Sequence, residues 1–187
     1  MGIRKGFRWL VLCVFVLSVV TVPFFASTDA YAAQITARTL TLQAGGGGDG
    51  GSKAGGVVNH QFSFTLPNAG SGNVGSIKFL YCTSAAGTCT TPTGLVTTSA
   101  TIGTQTGATG FTLNNTTNGA PYITRTAASI SAGTAVSYII QSVTNPTTVN
   151  SSFYVRITSY TGTDGATGPV DTGTVAGSTA EQIVLTG

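Results

Sequence analysis

The chain predicts an all-β fold: an antiparallel β-sandwich of Ig-like or jelly-roll connectivity, with eight to nine strands after an N-terminal leader. Three observations point there. Short runs alternate apolar and polar residues with period two, as strands with one buried face do. Gly, Pro, Asn and Ser cluster between those runs, where turns are needed. No stretch of the mature chain carries a convincing helical period, and with 26 Gly and only 7% charged residues the chain suits one medium core.

Residues 1–32 read as a signal peptide. Arg4, Lys5 and Arg8 precede an apolar run from Trp9 to about Val22, followed by Pro23 and a polar region. Ala30 and Ala32 supply small side chains where a signal peptidase reads them, so cleavage is expected after Ala32, with Ala33 as the first mature residue. The run is short of the roughly 20 residues a spanning helix needs, so no stable membrane span is expected after processing. Cys13 has no small residues before it, as a lipoprotein site would require, and leaves with the leader. Two alternatives are an uncleaved signal anchor and a type IV prepilin site at Lys5-Gly6-Phe7, though Val11 stands where pilins usually carry Glu.

The mature chain, 33–187, is expected to be a single sandwich domain. Ile35–Leu42 is a Thr-rich strand of the kind that suits a half-buried pleated surface. Segment 44–56 is a glycine-rich flexible loop by composition. Its formal G-x-G-x-x-G (Gly46, Gly48, Gly51) is not a dinucleotide site, because a strand follows where a helix would be required. In Val57–Leu66 the residues Val58, His60, Phe62, Phe64 and Leu66 share one face, the cleanest alternation in the chain. After a turn at 67–73, Ile77, Phe79 and Tyr81 alternate with Ser76, Lys78 and Leu80. Cys82 and Cys89 then flank a small polar loop, and a chain doubling back there brings them within reach of a disulfide. Free buried thiols are the other reading. A structural zinc site lacks ligands, since two cysteines and one His are all that remain.

Further strands are expected near Thr97–Thr104, at Phe111–Thr117 and Tyr122–Thr126 joined by the hairpin signal Asn118-Gly119, at Ala135–Val143, around Phe153–Thr158, and at Ala180–Thr186. Thr161–Gly168 reads as a loop leading to Pro169. The end at Gly187, straight after a strand, reads as a domain end or a truncation.

Charge excludes one class of partner. Without the leader, Arg38, Lys53, Lys78, Arg125 and Arg156 face Asp49, Asp164, Asp171 and Glu181, a net of +1. No basic stripe remains to neutralise phosphates, so no nucleic-acid partner is expected.

The segments Ile77–Leu95, Asn115–Ile130, Ser151–Pro169 and Asp171–Gly187 resemble a group of uncharacterised secreted Thr/Ser/Gly-rich β-sandwich surface proteins from small-genome bacteria. The most specific part is the Cys82…Cys89 hairpin with its Thr-Pro-Thr-Gly exit. The resemblance implies export to the cell surface and a sandwich. Members of the group continue into a second Thr/Ser-rich β-region. No catalytic or ligand residues come with it.

Candidate chemistry is sparse. His60 on an apolar face reads as a core or sheet-edge histidine bonded to a backbone carbonyl. As a catalytic base it would need exposure beside a Ser and an acid, and no G-x-S-x-G elbow is present. Asp164 and Asp171 share one loop and, with backbone carbonyls, form a calcium candidate, ordinary turn residues being the competing reading. Tyr122 and Tyr160 are candidates for stacking on a glycan, and Trp9 departs with the leader. Overlapping sequons at Asn114-Asn115-Thr116-Thr117 and another at Asn150 arise by chance in so Thr/Asn-rich a chain. The expectation is a non-enzymatic secreted or cell-surface module with a structural or adhesive role and no cofactor. Cell-envelope or surface protein or glycan partners and self-association through edge strands are expected candidates. The alternatives are an extracellular glycan- or calcium-binding module and a pilin-like surface protein.

Overall fold

The computed structural model describes residues 32–46, 48–67 and 73–181. All of the leader but Ala32, the prepilin motif, most of the 67–73 turn and all but the first two residues of the expected strand at 180–186 lie outside them.

Ten strands run in chain order: β1 (Ala33–Gln34), β2 (Thr36–Gln43), β3 (Val57–Leu66), β4 (Asn73–Cys82), β5 (Thr101–Thr106), β6 (Thr112–Asn114), β7 (Tyr122–Ser129), β8 (Thr134–Thr144), β9 (Ser152–Tyr160) and β10 (Pro169–Ser178). They form a six-stranded sheet, β1-β10-β9-β4-β7-β6, and a four-stranded sheet, β2-β3-β8-β5. Every strand pair is antiparallel except β1 with β10, where Ala33 lies opposite Asp171. No helix occurs among the described residues, so none is long and apolar enough to cross a membrane.

The alternation in β3 comes out as predicted: Val58, His60, Phe62, Phe64 and Leu66 are buried while their neighbours are not. From the other sheet, Ile77, Phe79 and Tyr81 of β4 and Phe153, Val155 and Ile157 of β9 point at them. The sheets meet face to face through rings, Phe79 of β4 lying 4.5 Å from Phe62 of β3 and 6.5 Å from Tyr138 of β8. Aromatic side chains carry much of this core, and each buries enough apolar area to contribute about 2–3 kcal/mol.

The first strands change sheet. β1 pairs with β10 in the larger sheet, and β2 pairs with β3 in the smaller one. Between them Ile35 is fully buried, and Ala37 takes φ 45° at an irregularity in the β2 register. Arg38 stitches the crossing, its Nε donating to Thr174 O (2.8 Å) and its Nη1 to Ile35 O (2.6 Å).

Three expectations need correction. Among the described residues the strands number ten: eight expected ones, then β1 and, at 169–178 where no strand was expected, β10. Its inward positions are Asp171, Gly173 and Val175, so only one of three is apolar and the period is hidden. Gly173 is required there, since a Cβ would lie 2.9 Å from the Cβ of Ile35. The expected strand at Thr97–Thr104 begins at Thr101; Thr97–Ala100 is a turn closed by Ala100 N donating to Thr97 O (3.1 Å). The Asn118-Gly119 hairpin exists, but β6 ends at Asn114. Residues Gly119 and Pro121 instead run beside β4, accepting from Tyr81 N (2.8 Å) and Phe79 N (2.9 Å). Asn118 Oδ1 accepts from Thr97 N (2.8 Å), which fixes the turn against that loop.

Candidate functional site

Cys82 and Cys89 are bonded, with Cα atoms 4.9 Å apart. The hairpin between them is closed at its base by Thr83 N donating to Thr90 O (2.9 Å). Arg156, on the outward face of β9, holds it from below: Nη1 donates to Gly87 O (2.8 Å) and Nη2 to Ser84 O (3.1 Å). One guanidinium thus satisfies two carbonyls of the loop, and its planar fork suits that task as a lysine would not.

His60 is fully buried, and its partners are side chains rather than the expected backbone carbonyl. Asn145 donates through Nδ2 to Gly51 O and Lys53 O, both at 2.9 Å, which leaves Oδ1 facing His60 Nε2 at 2.9 Å. His60 therefore carries its proton on Nε2, and Nδ1 accepts from the Tyr81 hydroxyl at 2.9 Å. Desolvation lowers its pKa from 6.5 to about 4, against the opposing pull of Asn145, and burial raises the Tyr81 phenol. The ring stacks on Phe153 at 5.9 Å. No carboxylate or serine hydroxyl is among its hydrogen-bond partners.

The same asparagine ties down the glycine-rich segment. Asp49 receives Lys53 Nζ (2.7 Å) and Val57 N (3.1 Å), which lower its pKa, and Lys53 pairs in parallel with Ala180. Gly45 and Gly51 sit so close to strand carbonyls that a Cβ on either would lie 2.1 Å from Val57 O or Leu42 O.

The two calcium candidates do different things. Asp164 is exposed and closes its own turn, accepting from Thr167 Oγ1 (2.6 Å), Thr167 N (2.8 Å) and Ala166 N (3.0 Å), which pull its pKa down to about 2. Asp171 is fully buried on the inward side of β10, its amide donating to Ser159 Oγ (3.0 Å). Among the described residues no cluster of three or more His, Cys, Asp or Glu is placed to hold a metal ion.

The tyrosines do come together. Tyr122 of β7 lies directly opposite Lys78 of β4, and Lys78 lies opposite Thr158 of β9. Tyr160 lies opposite Ser76, two residues before Lys78. Directly opposed residues share a face, so Tyr122, Lys78 and Tyr160 stand on the outward face of the larger sheet, across three adjacent strands. The 161–168 loop rises beside them: Gly165 N donates to Ser76 Oγ (3.1 Å) and Thr124 Oγ1 to Thr163 O (2.7 Å). Gly165 (φ 68°) packs on the Tyr122 ring, where a Cβ would lie 2.8 Å from Cγ. The place of Lys78 between the tyrosines depends on pairing with distant strands.

No protein-family model, no curated protein and no solved structure matches the chain.

Proposed function

We propose that this chain is a non-enzymatic secreted or cell-surface module of structural or adhesive role, built on an Ig-like sandwich. The order β2-β3-β8-β5 against β10-β9-β4-β7-β6 matches the A-B-E-D and G-F-C-C′-C″ order of Ig-like domains. Two differences set it apart: β5, at the D position, precedes β6 and β7 along the chain, and β6, at the C″ position, precedes β7, at C′.

The observation that carries the role is how the reactive groups are used. The His60 ring is sealed in the core as a neutral link between Tyr81 and Asn145, the two cysteines are joined, and Asp164 closes its own turn. These groups, all suited to acid–base or nucleophilic chemistry, are committed to holding structure. A disulfide also fits an oxidising, extracellular setting.

The test is intact mass of the protein from its native host, before and after reduction and alkylation, together with protease shaving of whole cells. A chain starting at Ala33, taking two alkyl groups only after reduction and cleaved on intact cells, is the expected result. A start at Phe7, free thiols, or protection in intact cells overturns the reading.

A further inference from the structure

We infer that the outward face of the six-stranded sheet, around Tyr122, Lys78 and Tyr160, binds a carboxylated polysaccharide. This deepens the adhesive reading above and rests on it for biological context, though the binding itself is independent of it.

Two tyrosines flank one cation on neighbouring strands. With strands about 4.8 Å apart and residues of one face about 6.8 Å apart along a strand, the Cα atoms of the two tyrosines are roughly 10–12 Å apart. That spacing lets two sugar rings of one chain each lie on a tyrosine, apolar ring faces on the aromatic surface and hydroxyls toward water. Tyrosine supplies such a platform at small entropic cost, having only two side-chain torsions. The position of Tyr122 is fixed by the packing of Gly165 against its ring.

Charge selects the class of sugar. Lys78 makes no hydrogen bond or ion pair with any described residue; the ion pair present, Lys53 with Asp49, is in the glycine-rich segment. Arg156 adds a second positive charge to the same face, two pairs along from Lys78 through Leu80, with its Nη atoms committed to the cystine loop. Both strand-borne charges of the face are positive. The 161–168 loop beside this face carries one carboxylate, Asp164, whose oxygens accept from Thr167 and Ala166. A carboxylate on a sugar between the two stacked rings therefore meets Lys78 in a charge-assisted hydrogen bond.

The experiment uses the purified mature chain with its disulfide intact, titrated with polygalacturonate, alginate and hyaluronan. The expected result is salt-sensitive binding to at least one of the three. Lys78→Gln should weaken it about tenfold, as loss of one charge-assisted contact does, and Tyr160→Ala should weaken it by about three- to tenfold. Lys53→Gln, in the glycine-rich segment, should leave binding unchanged. Melting temperatures of all variants are measured alongside; if Tyr160→Ala does not fold, Tyr160→Phe, which keeps the ring, should bind as the parent does. Absence of binding to all three polysaccharides overturns the inference. So does equal binding to methyl-esterified polygalacturonate, which removes the charge, or to poly-glutamate, which removes the sugar. Insensitivity to Lys78→Gln does the same. These results concern a purified protein, so their failure leaves the surface-exposure test above untouched.

Discussion

His60 Nε2 lies 2.9 Å from Asn145 Oδ1, and through that one amide the core histidine is linked to the carbonyls of Gly51 and Lys53 in the glycine-rich segment. A buried polar chain of this kind joins β3, β4, the β8–β9 turn and the 44–56 segment. His60, Tyr81 and Asn145 are fully buried and have no water to fall back on, so a bond lost among them leaves a stranded group.

The histidine makes stability depend on pH. Its folded pKa, about 4, lies below the unfolded value of 6.5, so between those pH values the unfolded chain binds more protons. Stability from this group is fully present above pH 6.5 and is lost as pH falls, reaching a deficit of about 3 kcal/mol near pH 4. Urea midpoints across this range should show the slope, and His60→Gln should flatten it.

Asn145→Ala should cost about 2–4 kcal/mol, because the histidine N–H and two carbonyls lose their partner at once. Hydrogen exchange should show the loss spreading to the Gly56 amide, which donates to Lys53 O (3.1 Å). Protection confined to β3 alone would contradict the coupling.

Removing the disulfide by Cys82→Ala and Cys89→Ala together should destabilise by about 2–3 kcal/mol on the loop-entropy model. Arg156→Ala leaves the covalent bond but frees the Ser84 and Gly87 carbonyls. Under a fixed concentration of dithiothreitol its disulfide should therefore be reduced faster than that of the parent, measured by alkylation and mass.

Ala37 offers a test in the stabilising direction. A non-glycine residue at φ 45° is disfavoured by roughly 1 kcal/mol through crowding of its Cβ. Ala37→Gly relieves that and adds chain entropy to the unfolded state, so the net change should be between zero and about 1 kcal/mol of stabilisation. A destabilisation above about 1 kcal/mol would mean the Ala37 methyl has a packing role.

How much of this was legible beforehand follows physical lines. The strands β3, β4, β8 and β9 announced themselves because one face of each is apolar and the other polar. The cystine was legible because it is local: seven residues and a small loop separate the sulfurs. β10 was hidden because its inward side carries Asp171 and Gly173, the first bonded to Ser159 and the second making room for Ile35. Composition marked 44–56 as glycine-rich but could not reveal that Asn145, more than ninety residues away, donates to two of its carbonyls. The tyrosines were each picked out singly, and Asp164 and Asp171 were paired by sequence proximity. Strand register separates that pair by burial and aligns Tyr122 with Tyr160 around Lys78.

The parallel pairing of β1 with β10 has a mechanical meaning. The two strands run the same way, so tension applied from the start of β1 and the end of β10 pulls them in opposite directions along their shared axis. The Ile35–Thr172 bond (2.8 Å) and the Arg38–Thr174 bond (2.8 Å) are then loaded together in shear rather than opened one after another. A domain strung between a cell and whatever it grips would resist extension at this seam first, and the force it bears would be set by a few bonds at the edge of the sheet, with the aromatic core behind them still folded.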